Sequence, residues 1–376
     1  MSIIILKVYS FPKNIKIAHS DKFYFTCPSY GFITPILSII DEIMPANPQI
    51  EIIVMNEQMR LFWQQLITSK SLSWNLVFLP TRPPGRFRNA LSWLRIRPAI
   101  RKLYEKNFKS VAGAYFFCCG HGSDLILFSL VKMIASENKV IFLNIQTTET
   151  IRVLNLKALV LYLHNWVIYR LDITIRRFQF SEKPRVFLSK NFFKKLGAPF
   201  HEFKYFYCHN LLKKYNSIPS QYISGKKLLV LADTYLIYDK KKKEEIHNCL
   251  QEIKQTIGRN FSRSEVLYKL HPNSMFQRED IDKIFEEYEK MPSFMSADFI
   301  FSDSKIEFII GSLSAALSTA AKHTDITAIS YSKLMPFEKQ KIKKKNMLDF
   351  WSEESDQKIR FIGSIEELDS IFRRDN

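Results

Sequence analysis

The sequence predicts an α/β protein built from two doubly wound, Rossmann-like domains facing a central cleft. Three observations predict it. Strand-like and helix-like runs alternate along the chain. Several strands, such as Leu228-Leu229-Val230-Leu231, are continuously apolar, as in a parallel sheet covered on both faces. The length, 376 residues, exceeds one ordinary core and suits two. Between 206 and 225 the periodicity fails and Asn216, Ser217, Pro219, Ser220, Ser224 and Gly225 accumulate, so the linker is placed there. The expected domains are 1–215 and 226–376.

In the first half, residues 22–27 read as an apolar, aromatic strand ending in Pro28-Ser29-Tyr30-Gly31, and 33–43 show helical spacing. A strand at 51–55, a helix around 59–67 and a strand at 75–79 follow. The segment 81–101 interleaves Arg82, Arg86, Arg88, Arg95, Arg97 and Arg101 with Pro83, Pro84, Phe87, Trp93 and Pro98. It reads either as a contact for lipid headgroups or an acidic acceptor, or as a solvated loop entering a basic helix. A strand at 114–119 opens through Gly120-His121-Gly122-Ser123-Asp124 into a helix at 125–135. The next strand, 139–144, ends in Gln146-Thr147-Thr148-Glu149. A long helical region is expected from there to about residue 177, then a strand at 185–188 and a helix from Lys190.

The second half repeats the alternation. A strand at 227–231 runs into Ala232-Asp233-Thr234, and an amphipathic helix covers 244–257. Further strands are expected at 266–270, 299–301, 306–310, 327–330 and 360–362, with helices at 280–290, after Ser314, and at 365–372. In such sheets ligands bind beyond the carboxyl ends of the strands, where His271, Ser312 and Thr234 fall.

The charge is lopsided: 55 Lys and Arg against 37 Asp and Glu, a net +18. This excess attracts polyanions, unless it is only generic surface lysine. No RNA- or DNA-binding signature accompanies it, so a membrane face or an acidic glycan is expected and nucleic acid is not. The five cysteines, Cys27, Cys118, Cys119, Cys208 and Cys249, are scattered with no CxxC pair. The eight histidines form no HExxH, so no metal site is expected. Residues 1–8 lack a basic start and a small-residue cleavage site. Residues 156–171, the longest apolar stretch, carry Lys157, His164, Asn165 and Arg170, too polar for a simple spanning helix. A cytoplasmic protein is expected, with peripheral contact to the inner membrane as an open alternative.

Two motifs carry chemistry. In Tyr268-Lys269-Leu270-His271-Pro272, the proline pushes His271 toward an extended backbone and aims the imidazole off the strand end. There it can donate to a phosphate oxygen and offset charge on a departing group. In Gly311-Ser312-Leu313-Ser314-Ala315-Ala316-Leu317, Gly311 permits an unusual turn, two hydroxyls can bind phosphate, and the following helix offers backbone N–H groups. The bland alternatives are a turn histidine and an N-cap serine on an Ala-rich helix. Lys269 reads as a solvated strand lysine.

The His-Pro pair followed by a serine-bearing strand-to-helix turn resembles the HP and serine motifs of bacterial sialyltransferases, especially the capsule polysialyltransferase and lipooligosaccharide sialyltransferase families. The resemblance covers about 227–330 well and the first half in outline. It implies a GT-B fold, CMP-sialic acid as donor, inversion at the anomeric carbon, and no metal or other cofactor. His271, with Pro272, would meet the CMP phosphate, and Gly311, Ser312 and Ser314 would cradle it, although Ser314-Ala315 replaces the usual pair of hydroxyl residues. Those families carry an acidic-acidic-glycine motif whose carboxylate deprotonates the acceptor. Here the matching strand end has one acid, Glu149, and no glycine, with Asp124 as its competitor for the role of base. By position, Ser29 and His121 fall on the acceptor side and Thr234 near the donor. The expected activity is transfer of sialic acid to a bacterial surface glycan, in capsule or lipooligosaccharide, with an anionic acceptor fitting the basic surface. The rivals are a transferase for another CMP-activated sugar such as Kdo, and a non-catalytic glycan-assembly or glycan-binding protein.

Overall fold

The computed structural model describes residues 21–79, 90–119, 125–145, 148–150, 173–178, 185–188, 190–196, 200–203, 207–232, 242–271, 279–302, 305–336 and 344–374. Of the expected site residues, His121, Asp124, Thr234 and Pro272 lie outside these, as does the arginine-rich segment up to residue 89. Contacts divide the chain into two compact units, the second beginning at Tyr207.

The first unit contains β1 (Lys22–Cys27), β2 (Gln49–Val54), β3 (Asn75–Phe78), β4 (Tyr115–Cys119), β5 (Lys139–Ile145), β6 (Thr148–Thr150), β7 (Ile173–Phe178), β8 (Arg185–Leu188) and β9 (Phe200–Phe203). Its helices are α1 (Ile33–Ile43), α2 (Glu57–Ser69), α3 (Ala90–Asn107), α4 (Leu125–Ile134) and α5 (Lys190–Lys195). Six strands form one sheet in the order β3-β2-β1-β4-β5-β9, each neighbouring pair parallel. Aromatic rings lock the register of β1 against β4. Phe23 stacks on Tyr115 at 4.9 Å, Tyr24 on Phe116 at 4.3 Å, and Phe25 on Phe117 at 4.9 Å. Successive residues point to opposite faces, so both faces of the sheet carry part of this ladder and a one-residue slip would break all of it.

The second unit holds β10 (Leu228–Ala232), β11 (Val266–Leu270), β12 (Glu289–Met291), β13 (Phe308–Gly311), β14 (Thr327–Ser330) and β15 (Arg360–Phe361). Its helices are α6 (His209–Lys214), α7 (Lys243–Asn260), α8 (Glu279–Phe285), α9 (Ala297–Phe301), α10 (Ala315–His323), α11 (Lys344–Glu354) and α12 (Ile365–Arg374). The strand order β12-β11-β10-β13-β14-β15 repeats that of the first sheet, again all parallel. Both sheets therefore have the doubly wound order 3-2-1-4-5-6, which reverses direction between the first and fourth strands. The α/β class expected from sequence is the class observed. β10, β11 and β13 are buried along their whole length, which accounts for their unbroken apolar runs.

Several elements differ from expectation. Residues 173–178 form β7 rather than the end of a helix, and the β-branched Ile173-Thr174-Ile175 suits a strand. With β6 and β8 it makes a small antiparallel sheet. Residues 299–301 belong to helix α9, not to a strand. Ser296 precedes it with an extended backbone, and Phe299, Ile300 and Phe301 are all buried, so no periodicity marks the helix. The helix expected at 280–290 stops at Phe285, and Glu289–Met291 pair as β12. The stretch 207–225 packs with the second unit: Leu211, Leu212 and Tyr215 are buried, and Asn216 Nδ2 donates to the Phe299 carbonyl at 3.4 Å. Gly225, at φ 71°, supplies the left-handed turn just before β10.

At the amino ends of the second sheet, charge holds the fold together. Lys226 is buried, donates to the Ser264 carbonyl at 2.8 Å and pairs with Glu289 at 2.6 Å. Lys227 pairs with Glu265 at 2.8 Å. Glu265 also closes a capping box with Ser262. The Lys227 ammonium foremost, then the Ser262 N–H and hydroxyl, hold the Glu265 carboxyl down to about 2 from 4.5. A carboxyl depressed in the folded state stabilises above its ordinary value and loses that contribution as pH falls through the folded one. The stability gap between wild type and Glu265→Gln is therefore expected to be constant above pH 4.5 and to shrink as pH falls toward 2. Urea unfolding across that range measures it, and a pH-independent gap would contradict the pairing.

Candidate functional site: the carboxyl ends of the second sheet

The order reversal in the second unit falls between β10 and β13, and in open sheets of this kind ligands bind beyond the carboxyl ends of the strands at such a reversal. His271 follows β11 on one side of β10, and the Gly311–Ser314 turn follows β13 on the other. Strands about 4.8 Å apart put those two tips about 10 Å apart, straddling the end of β10. The structure thus brings the two sequence motifs to the same edge of one sheet. His271 is partly exposed.

Gly311 acts differently from expectation. Its φ is not positive; the residue is buried at the end of β13. A Cβ there would stand 3.0 Å from the Leu231 Cβ and 3.4 Å from the Cδ1 atoms of Leu231 and Leu317. Glycine is needed because β10 and the first turn of α10 both come close, not because the turn is left-handed.

The two serines divide their roles. Ser314 caps α10 in an extended conformation, φ −153° and ψ 156°, its hydroxyl accepting from the Leu317 N–H at 3.3 Å. It is partly exposed and still has its own hydrogen to donate. Ser312 is 0 % exposed, so a ligand would reach its hydroxyl only if the turn opened. Its carbonyl accepts a short hydrogen bond from the Ser330 hydroxyl. Ser330 Oγ and Ser332 Oγ lie 2.9 Å apart, the Tyr331 N–H donates to the Gly311 carbonyl at 3.0 Å, and the Tyr331 hydroxyl donates to the Leu231 carbonyl at 3.5 Å. The Ser330-Tyr331-Ser332 segment, not singled out from sequence, is thus the scaffold that fixes the turn. Its signal was available: a hydroxyl-rich triplet directly beyond an apolar strand.

Two buried charged residues at this edge also escaped the sequence reading. Lys269 is 6 % exposed, not solvated as expected. Its ammonium donates to the carbonyls of Leu270 at 3.1 Å and Ser293 at 3.0 Å. Asp298, 8 % exposed, sits in the first turn of α9, just past the turn that Lys269 holds.

In the first unit, Glu149 is the middle residue of β6, four residues beyond β5, and stands opposite Arg177 of β7 in the register. Ser29 is partly exposed beyond β1, its carbonyl accepting from the Phe32 N–H at 3.1 Å. The thiols of this region are poor nucleophiles. Burial pushes Cys27 up to about 12 and raises Cys118 and Cys119 as well, so none offers a thiolate near neutrality. Among the described residues, no cluster of three or more His, Cys, Asp or Glu could hold a metal ion. No described helix is long and apolar enough to cross a membrane. A groove of about 600 Å³ opens at the opposite, amino-terminal end of β13 and β14, between Lys305, Glu307, His323 and Asp325. It lies a strand's length from His271 and takes no part in the site.

No protein-family profile matches the chain, and no curated protein matches it. Among solved structures, it is similar to the alpha/beta-galactoside alpha-2,3-sialyltransferase of Photobacterium phosphoreum, at 11% identity and a TM-score of 0.46, over 94% of this chain and 100% of that one. It is also similar to the UDP-GlcNAc 2-epimerase of Neisseria meningitidis, at 10% identity and a TM-score of 0.40, over 94% and 100%. A third is the GT-B domain of a sialyltransferase from Photobacterium damselae, at 10% identity and a TM-score of 0.36, over 90% and 99%. These likenesses are of fold.

The close approach at Gly311 gives a test of the scaffold. Gly311→Ala is expected to cost about 1–3 kcal/mol, because the Leu231 Cβ is fixed to its strand and cannot swing aside. Denaturant unfolding measures the loss; unchanged stability would mean that β10 and β13 have room to separate.

Proposed function

We propose that the protein is an inverting, metal-independent glycosyltransferase that moves sialic acid from CMP-sialic acid to a bacterial surface glycan. The observation that carries the reading is the convergence of His271 and the Ser314-capped start of α10 on one edge of a doubly wound sheet, at its order reversal. The resemblance of these two motifs to those of bacterial sialyltransferases supports it.

In this reading the phosphate of CMP lies between the two tips. Ser314 and the first N–H groups of α10 donate to its oxygens, and the helix dipole favours the negative charge. The bond between the anomeric carbon and the phosphate oxygen breaks, with its electron pair leaving on CMP. His271 donates to that oxygen as charge develops, an electrostatic contribution that is strongest away from water. The acceptor hydroxyl attacks the opposite face of the sugar, forming the new bond, while a carboxylate of the first unit takes its proton. Glu149 is the proposed base and Asp124 its competitor. Pro272 and Thr234 are assigned to the donor side, His121 and Ser29 to the acceptor side. A net charge of +18 suits an anionic acceptor and peripheral contact with the inner membrane from the cytoplasm.

The test is release of CMP by purified protein from CMP-sialic acid, with CMP-Kdo in parallel, with and without glycan acceptors. Turnover of the sialic acid donor is expected, and His271→Ala should lower it by about 10²–10³-fold with the fold intact. Preference for CMP-Kdo would reassign the sugar. Glycan binding that survives His271→Ala, with no turnover by either form, would instead make the protein a binder.

A further inference from the structure

Within β11, where the other residues are Val266, Leu267, Tyr268 and Leu270, Lys269 breaks the pattern of a strand buried on both faces. Taking an ammonium out of water costs several kcal/mol, so an apolar side chain would serve packing better there. Lys226, the other buried lysine among the described residues, sits at the amino end of the sheet and pairs with Glu289. Lys269 sits at the carboxyl end instead, and its ammonium donates to carbonyls of two different elements. One is the Leu270 carbonyl, which shares a peptide plane with the nitrogen of His271. The other is the Ser293 carbonyl, in the turn that leaves β12, where the Met295 N–H donates to the Pro292 carbonyl at 3.1 Å.

We propose that Lys269 is a positioning residue of the donor site, its ammonium stapling the tip of β11 to the turn after β12 and so fixing the backbone that carries His271. The inference rests on the transferase reading above and adds a residue to it. The staple acts on the peptide that joins Leu270 to His271, one peptide before the imidazole. A hydrogen bond to a charged donor is stronger than a neutral one, which suits a fixed point at a strand end where ladder bonding stops. Displacement of a reacting group by about 1 Å can cost about 10²-fold in rate, so a staple here acts on turnover more than on donor affinity.

The experiment is a double-mutant cycle in the full chain. Lys269→Met is made in the wild-type and His271→Ala backgrounds, with kcat and KM for CMP release from the preferred CMP-sugar and a thermal melt of each protein. Lys269→Met alone is expected to lower kcat about 10–100-fold and shift KM less than about 3-fold. In the His271→Ala background the same change should lower kcat less than about 3-fold, because the residue it positions is already gone. Lys269→Arg, which keeps the charge and the donors, should recover most of the rate. If Lys269→Met does not fold, Lys269→Gln runs the same cycle. Equal losses in both backgrounds, or a lowered melt with kcat intact, overturn the staple while leaving the transferase standing. Absence of turnover of any CMP-sugar by the wild-type chain overturns both.

Discussion

The second unit is organised by the approach of β13 to β10. At Gly311 the two strands and the first turn of α10 meet with no room for a side chain, since a Cβ at this position would lie 3.0 Å from the Leu231 Cβ. This contact accompanies the short passage from β13 into α10, which begins four residues after Gly311. A side chain at 311 would push the turn outward and carry Ser314 with it. The geometry of the turn is thus set by packing inside the sheet, one residue before the hydroxyls begin.

A turn this tight leaves backbone groups in a dry place, and they must be satisfied there. Ser330, Tyr331 and Ser332 do this from the next strand: one hydroxyl takes the Ser312 carbonyl and one N–H takes the Gly311 carbonyl. The Tyr331 hydroxyl crosses back to Leu231 and ties the same segment to the central strand. Ser312, fully enclosed in this network, lies on the inside of the turn, and Ser314 on its exposed side. Two serines two residues apart therefore have different physical roles, one in the frame and one at the surface.

Much of this was legible in the sequence, and the failures share a cause. The strands of the central sheets were readable because Leu228–Ala232 and Val266–Leu270 are apolar runs bounded by polar turns. Phe299-Ile300-Phe301 is just as apolar but forms one helical turn, since complete burial erases the periodicity that separates helix from strand. Lys269 was misread for a related reason. A charge in a strand usually marks a solvent face, and only the carbonyls of Leu270 and Ser293, the latter 24 residues on in sequence, reveal a buried role. Gly311 was recognised as special, but its reason, a neighbour 80 residues earlier in the chain, is invisible to local pattern. Glu149 was placed past a strand end; that it lies within a second, antiparallel sheet opposite Arg177 depends on a pairing 28 residues away.

The two ends of the second sheet are built on opposite electrostatic terms. At the amino ends, lysine and carboxylate pair directly, Lys226 with Glu289 and Lys227 with Glu265, so charge there is neutralised within the fold. At the carboxyl ends, the amino terminus of α10 and the imidazole of His271 stand on one edge, while the Lys269 ammonium is taken up by the carbonyls of Leu270 and Ser293. Helix N-termini favour an anion and present little to a cation. Because a parallel sheet buried on both faces offers its side chains to solvent only at its tips, stabilising pairs and ligand-binding donors compete for the same few positions. This fold sets the two lysine–carboxylate pairs a strand's length from the edge that carries His271 and Ser314.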